Sequence, residues 1–291
     1  MPKPATRSAA SSLLCLFLSF GLTGDAFGQA PPAVDEVAPA PARKAPAKKG
    51  ARRARAADGP KMYMGRAIAP VMTFQGAEWL VRPEREQEEQ PEKMLDALKL
   101  KAGDVVADVG AGVGYTSLRI ARRVGPKGLV LATDIQPEMI QMLKANAAEF
   151  GATNVRPVLC TPTESKLPKG KVDLILMVDV YHECDDPEAV LQDLKQALKP
   201  GGRLVLVEFR GEDPEVPIKP EHKMTVAQVR KELEPQGYKL IETHEFLPWQ
   251  HILIFETAKD AAAEAKSRPK DGATQAPETP KDEPKASEPP K

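Results

Sequence analysis

Residues 105–114 read VVADVGAGVG, a valine-rich run that carries an acid, Asp108, and passes directly into glycines at alternate positions. Val105 to Val109 has the β-branched composition of a buried strand, and Tyr115 to Val124 (YTSLRIARRV) spaces its apolar side chains as a helix does. A strand, a glycine turn and a helix in that order bring free helix-start amides to the strand's carboxyl end. The spacing is GxGxG, made by Gly110, Gly112 and Gly114 behind Asp108, where a dinucleotide site has GxGxxG. A pyrophosphate needs those amides uncluttered. A ligand with an amino-acid tail and no phosphate can instead set its ammonium against the carboxylate.

The alternation continues outward from this turn. Leu129 to Thr133 is a second strand, and Asp134 at its end can accept both hydroxyls of a ribose, whichever cofactor carries it. Pro137 opens a helix that Gly151 stops; Asn154 to Leu159 and Val172 to Val178 are the third and fourth strands. Asp186 caps a helix with Pro187 at its first position, and KPGG (Lys199 to Gly202) ends it before a fifth strand, Arg203 to Val207. A capped helix over Thr225 to Glu234 leads to two last strands, Tyr238 to Phe246 and His251 to Phe255, joined by LPWQ. Strands linked by crossover helices form a parallel sheet covered on both faces, and the short final link reverses one strand.

The ends of the chain differ from this middle. Many of its 29 prolines lie there, and residues 31–61 (alanine, proline, basic) and 258–291 (alanine, proline, charged) have too few large apolar side chains to offset ordering entropy. Both read as disordered, which leaves 62–257 as the globular domain. Residues 1–30 carry Lys3 and Arg7 before an apolar run, Leu13 to Leu22, followed by Gly28 and Ala30. That is a signal-peptide pattern, and the run falls short of the roughly 20 residues that span a bilayer. The expectation is a mature chain without a transmembrane segment, exported to a periplasm or secreted; a start at Met62 or Met64 would leave it cytoplasmic. The 41 basic and 41 acidic residues cancel, so no specific nucleic-acid partner is expected. The basic cluster within residues 43–55 predicts at most a weak polyanion contact.

Asp108 to Gly114, Asp134, VDLILMVDV (172–180) and LKPGGRLVLVE (198–208) together resemble the class I S-adenosylmethionine-dependent methyltransferases, in the type 11-like branch that acts on small molecules. The likeness covers about Met94 to Glu256. It implies an α/β, Rossmann-like seven-stranded sheet in the order 3-2-1-4-5-7-6, with strand seven antiparallel and helices on both faces. It also implies S-adenosyl-L-methionine as cofactor. Asp108, Gly110, Gly112 and Gly114 would hold the methionine portion, Asp134 the ribose with Ile135 beside it, and Cys160 to Glu164 the adenine; Asp179 would stand at the reactive side. Where such families often have an aspartate after strand three, this chain has CTPTES, which passes that contact to Thr161, Thr163 or Glu164. The alternatives are a nicotinamide-dependent oxidoreductase and a non-catalytic exported binding module with the same fold.

Ligands of open α/β sheets bind outside the carboxyl ends of the strands. There VDVYHECDDP (178–187) presents Tyr181, His182 and Glu183, the fifth strand Glu208, and the last hairpin Trp249 to His251. Tyr181, His182 and His251 are the candidates for orienting or deprotonating a small-molecule methyl acceptor, and Glu183 and Glu208 for assisting them or neutralising a cationic substrate. No metal is expected, because HE at 182–183 lacks the second histidine of HExxH. In the implied order Cys160 and Cys184 lie three strands apart, about 14 Å, beyond the roughly 7 Å reach of a disulfide, so both are expected as free thiols. The segment before the first strand is expected to lie over the cofactor, with Tyr63, Met64 and Trp79 giving apolar cover.

Overall fold

The computed structural model describes residues 59–258. The leader, the basic cluster at 43–55 and residues 259–291 lie outside the described residues. Strand β1 (Val105–Val109) pairs in parallel with β2 (Leu129–Asp134) on one edge and with β4 (Val172–Val178) on the other. β3 (Val155–Leu159) continues the sheet beyond β2, and β5 (Leu198–Arg210) beyond β4. β7 (Gln250–Thr257) runs antiparallel between β5 and β6 (Tyr238–His244). The order is therefore 3-2-1-4-5-7-6, as expected, with one addition: Lys223–Met224 pairs with the far end of β5 and makes an eighth strand.

Side-chain parity explains why the inner strands are apolar throughout. Val106, Val130, Leu174, Leu176, Val205, Val207 and Ile252 meet one layer of helices, while Ala107, Leu131, Ile175, Met177, Leu204 and Leu253 meet the other. The first layer includes Leu95 of α1 (Pro91–Ala97) and Ile120 and Val124 of α2 (Tyr115–Val124). The second includes Leu191 and Leu194 of α4 (Pro187–Ala197) and Val229 and Leu233 of α5 (Val226–Leu233). Buried on both faces, these strands need no polar alternation. Helix α3 (Pro137–Glu149) follows β2. No helix among the described residues is long and apolar enough to cross a membrane.

Local signals account for most boundaries. Asp186 accepts from the Ala189 amide (3.2 Å) and Thr225 from the Gln228 amide (3.0 Å), so both caps form as expected. One boundary differs. β5 begins at Leu198 and passes through KPGG, because Leu198 pairs with Val172 and a register shift between Val172 and Leu174 absorbs the irregular stretch. KPGG is thus strand and not a loop.

The segment before β1 comprises a short hairpin (Met62–Tyr63 with Arg66–Ala67), a 3₁₀ helix (Phe74–Val81), one helical turn (Arg85–Glu88) and α1. Its anchor is Arg66, whose Nε and Nη2 donate to the fully buried Glu232 of α5 at 2.7 and 3.1 Å. Tyr181 Oη and Gln228 Nε2 donate to the same carboxylate at 2.8 and 2.7 Å. Removing one partner of a buried pair strands the other. Glu232→Ala should therefore lower the unfolding free energy by about 3 kcal/mol in urea titration at neutral pH; a loss under about 1 kcal/mol would show that Glu232 does not anchor the segment.

Candidate active site

A cavity of about 800 Å³ opens at the carboxyl ends of β1, β2, β3 and β4, roofed by the segment before β1. That is ample for a nucleoside-sized ligand, by comparison with typical sites of about 300–1,000 Å³. The roof is tied down on two sides. On the β2 side Gln136 accepts from the Phe74 amide (2.8 Å) and donates to the Met72 carbonyl (3.0 Å). On the β4 side the Ala69 amide donates to the His182 carbonyl (3.1 Å) and the Met72 amide to Glu183 (3.3 Å). Trp79 lines the cavity, stays 51 % exposed and carries the Arg82 guanidinium 3.6 Å above its ring. Tyr63 and Met64 do not reach the cavity; the Met64 carbonyl instead accepts from Gln228 and Lys231. The expected cover therefore comes from Met72, Trp79 and Leu80, because the hairpin folds back onto α5.

The glycine turn is built against the end of β2. The Gly110 and Ala111 amides both donate to the Thr133 carbonyl (2.9 Å), and the Gly112 amide to Asp134 Oδ2 (3.0 Å). Gly110 and Gly112 have φ of 72° and 54°, and a β-carbon at either would lie 2.5 Å from Val180 or 2.6 Å from Leu80. Only glycine fits that turn and leaves the backbone facing the cavity. Asp134 Oδ1 takes the Gln136 amide (2.8 Å), and the residue lines the cavity. Ile135 and Glu164 also line the cavity, as does the whole run Cys160–Ser165. Cys160 and Cys184 are free thiols.

Asp108 and Gly114 differ from expectation, for neither lines the cavity. Asp108 lies buried behind the turn and accepts from Ser117 Oγ (2.5 Å), one turn into α2. Burial pushes its carboxyl up to about 6. Asp179 does face the cavity, at φ 54°, with Oδ2 accepting from Gln250 Nε2 (2.6 Å) and a buried Oδ1 that has no partner among the described residues. Burial, then Glu89, holds this carboxyl well above its usual range, and burial also raises Asp134. The nearby cation, Arg85, is paired with Glu89 at 2.5 Å. Acids crowd this half of the cavity, and a cationic ligand would relieve them.

At the other end the three catalytic candidates separate. Tyr181 points away into the core, hydrogen-bonded to Glu232, and burial raises its hydroxyl far above the range of a base. His251 is buried in β7 opposite Glu208, neither ring nitrogen has a hydrogen-bond partner among the described residues, and it does not line the cavity. Trp249 does not line it either. His182 alone remains, buried but lining the cavity, with Nδ1 2.5 Å from Glu208 Oε2 and Nε2 3.1 Å from Nδ1 of His222. Glu208 does not line the cavity; its Oε1 accepts from the Tyr181 amide (3.0 Å). Burial pushes the Glu183 carboxyl up to about 7.

His222 was not among the candidates, because it comes from a 3₁₀ turn (Pro220–His222) in the connection after β5 that carries no motif. With it, His182, His222 and Glu183 offer ligating atoms that all lie within 4.8 Å of one another, although no HExxH joins them.

The profile of the family described as "Methyltransferase domain" matches residues 100–275. A ubiquinone/menaquinone biosynthesis C-methyltransferase UbiE of Hahella chejuensis is 28% identical over 116 residues, 40% of this chain and 47% of that protein. An arsenite methyltransferase of Halobacterium salinarum is 31% identical over 104 residues, 36% of this chain and 27% of that protein. The chain thus spans about half, or less, of the length of these curated relatives. The crystal structure of a SAM-dependent methyltransferase from Aquifex aeolicus superposes with a TM-score of 0.61 at 28% identity, covering 64% of this chain and 98% of that one. The profile takes in more than half of the chain, from the glycine turn to the last hairpin, and the sheet has the strand order those motifs implied. The chain belongs to the methyltransferase-domain family, and its sheet has the strand order of the class I methyltransferases.

Proposed function

We propose that this protein moves a methyl group from S-adenosylmethionine to a small-molecule acceptor held at the His182 end of the cavity. The observation that carries the reading is Asp179: a buried carboxylate oxygen without a partner faces a cavity already crowded with acids, and a ligand bearing an ammonium and a sulfonium satisfies it. When bound, the cofactor would supply an electrophilic methyl open to in-line attack by an acceptor's lone pair or carbanion, with S-adenosylhomocysteine as the leaving group. The chain's own task is alignment and desolvation. Gly110 and Gly112 admit the methionine portion against bare backbone, Asp134 takes the ribose hydroxyls, and Cys160–Ser165 walls the adenine. The roof, pinned at Gln136 and Glu183, keeps water from the reacting atoms. Glu208 holds Nδ1 of His182 and so fixes the ring at the acceptor end, where Nε2 meets Nδ1 of His222.

Equilibrium titration tests this reading directly. S-adenosylmethionine and S-adenosylhomocysteine should both bind, and NADH should not displace them; binding of NADH without either would overturn it. Asp134→Asn should weaken S-adenosylhomocysteine by about 1–3 kcal/mol through the lost acceptor. An unchanged affinity would remove Asp134 from the ribose site.

The buried acids also give the cofactor-free protein a pH signature. With its carboxyl at about 6, folded Asp108 retains a proton that the unfolded chain has already released. The resulting penalty is absent below the unfolded value near 4, grows as pH rises, and is complete above about 6. Asp108→Asn keeps an acceptor for Ser117 and removes the titration. The variant should therefore gain stability on the wild type between pH 4 and 7, by up to about 3 kcal/mol in urea titrations. A stability difference that stays flat over that range would contradict the burial of a titrating acid.

A further inference from the structure

The acceptor end of the cavity assembles a set of donors that the methyl-transfer reading does not require. His182 and Glu183 stand on the 3₁₀ turn that follows β4, and His222 arrives on another from the connection after β5. We propose that His182, His222 and Glu183 bind a first-row divalent transition metal, zinc above all, with an open coordination position facing the cavity.

The geometry supports this at three points. Two imidazole nitrogens on one zinc, at about 2.0–2.1 Å each and a near-tetrahedral angle, stand about 3.3 Å apart; here Nε2 of His182 and Nδ1 of His222 are 3.1 Å apart. The rings meet edge to face, 79° between planes, with their centroids 5.0 Å apart. A carboxylate oxygen of Glu183 completes the triangle within 4.8 Å and is the ligand that must close in. Second, the outer support of a metal-ligating histidine is already present. The fully buried Glu208 lies 2.5 Å from Nδ1 of His182, which fixes the ring and its tautomer and leaves the Nε2 lone pair for the metal.

Third, the donor set selects the metal and its role. Two imidazoles and one carboxylate suit zinc, iron or cobalt, whereas magnesium and calcium need a shell of oxygens. Three protein ligands make an open site, in contrast to the four of a structural one. All three residues line the cavity, so the vacant position points where an acceptor's oxygen, nitrogen or sulfur can reach the metal. That use as an acceptor anchor rests on the methyl-transfer reading; metal binding itself does not.

The test uses the untagged full chain, stripped with chelator and dialysed against Zn(II), with Co(II) as the spectroscopic probe. The wild type should retain one equivalent of zinc and show the visible d–d bands of cobalt with nitrogen and oxygen ligands. His182→Gln and His222→Gln should each raise the zinc Kd at least a hundredfold and abolish those bands, while Glu208→Gln should raise it about 10–100-fold. Thermal unfolding in chelator checks folding: His222→Gln should melt with the metal-free wild type, and should lose the upward shift that zinc gives the wild type. Failure of the wild type to hold zinc, or wild-type affinity in both histidine variants, would overturn the site and leave two histidines that merely hydrogen-bond. Titrating S-adenosylhomocysteine in the same samples separates the two ideas. Cofactor binding without zinc refutes the metal alone, and zinc without cofactor binding refutes the methyl-transfer reading alone.

Discussion

β1 is hydrogen-bonded along both edges and buried on both faces, and the glycine turn and the loops that meet at its carboxyl end are placed by that constraint. A parallel strand so enclosed cannot slip, because a one-residue shift would turn Val106 and Ala107 to the wrong helix layers. Its fixed register places Gly110 beside the Thr133 carbonyl and, through it, Gly112 beside Asp134. The parallel neighbours end at the same rim, so the turn after β4 and the loop after β3 reach the same cavity without long excursions.

What that rim costs is visible in its acids. Asp108, Asp134 and Asp179 are all pushed up by burial, and Arg85, the nearby cation, is committed to Glu89. A folded domain gains nothing from such a group of carboxyls alone; each one penalises the native state at neutral pH. A cationic ligand in the cavity would offset that penalty at Asp179, which faces it. The roof is held by two hydrogen bonds at Gln136, by one each at Glu183 and the His182 carbonyl, and by a buried ionic cluster at Glu232.

The sheet was legible in the sequence because its signals are local and repeated: apolar runs, proline at helix starts, Asp186 and Thr225 as caps. The glycine turn with Asp134 marked one end of the cavity for the same reason. The His182 end was less legible, because it depends on facing. Tyr181 and His182 are adjacent, yet one ring enters the core toward Glu232 and the other the cavity. His251 pairs with Glu208 and shares the parity of Leu253 and Phe255, so the alternation of β7 already assigned it to a buried face. His222 offered no such clue. Its place beside His182 is set by a connection folded back over the end of β5, and no periodicity or capping signal records that contact.

The central claim is that one cavity has a cofactor half at the glycine turn and an acceptor half at His182. A crystal structure of the full chain with S-adenosylhomocysteine tests it most directly. The account predicts adenine against Cys160–Ser165, ribose on Asp134, the amino-acid tail near Asp179, and the sulfur directed toward His182 and Glu183. Adenine packed against His182 and His222, or a nucleoside bound outside the cavity, would contradict it.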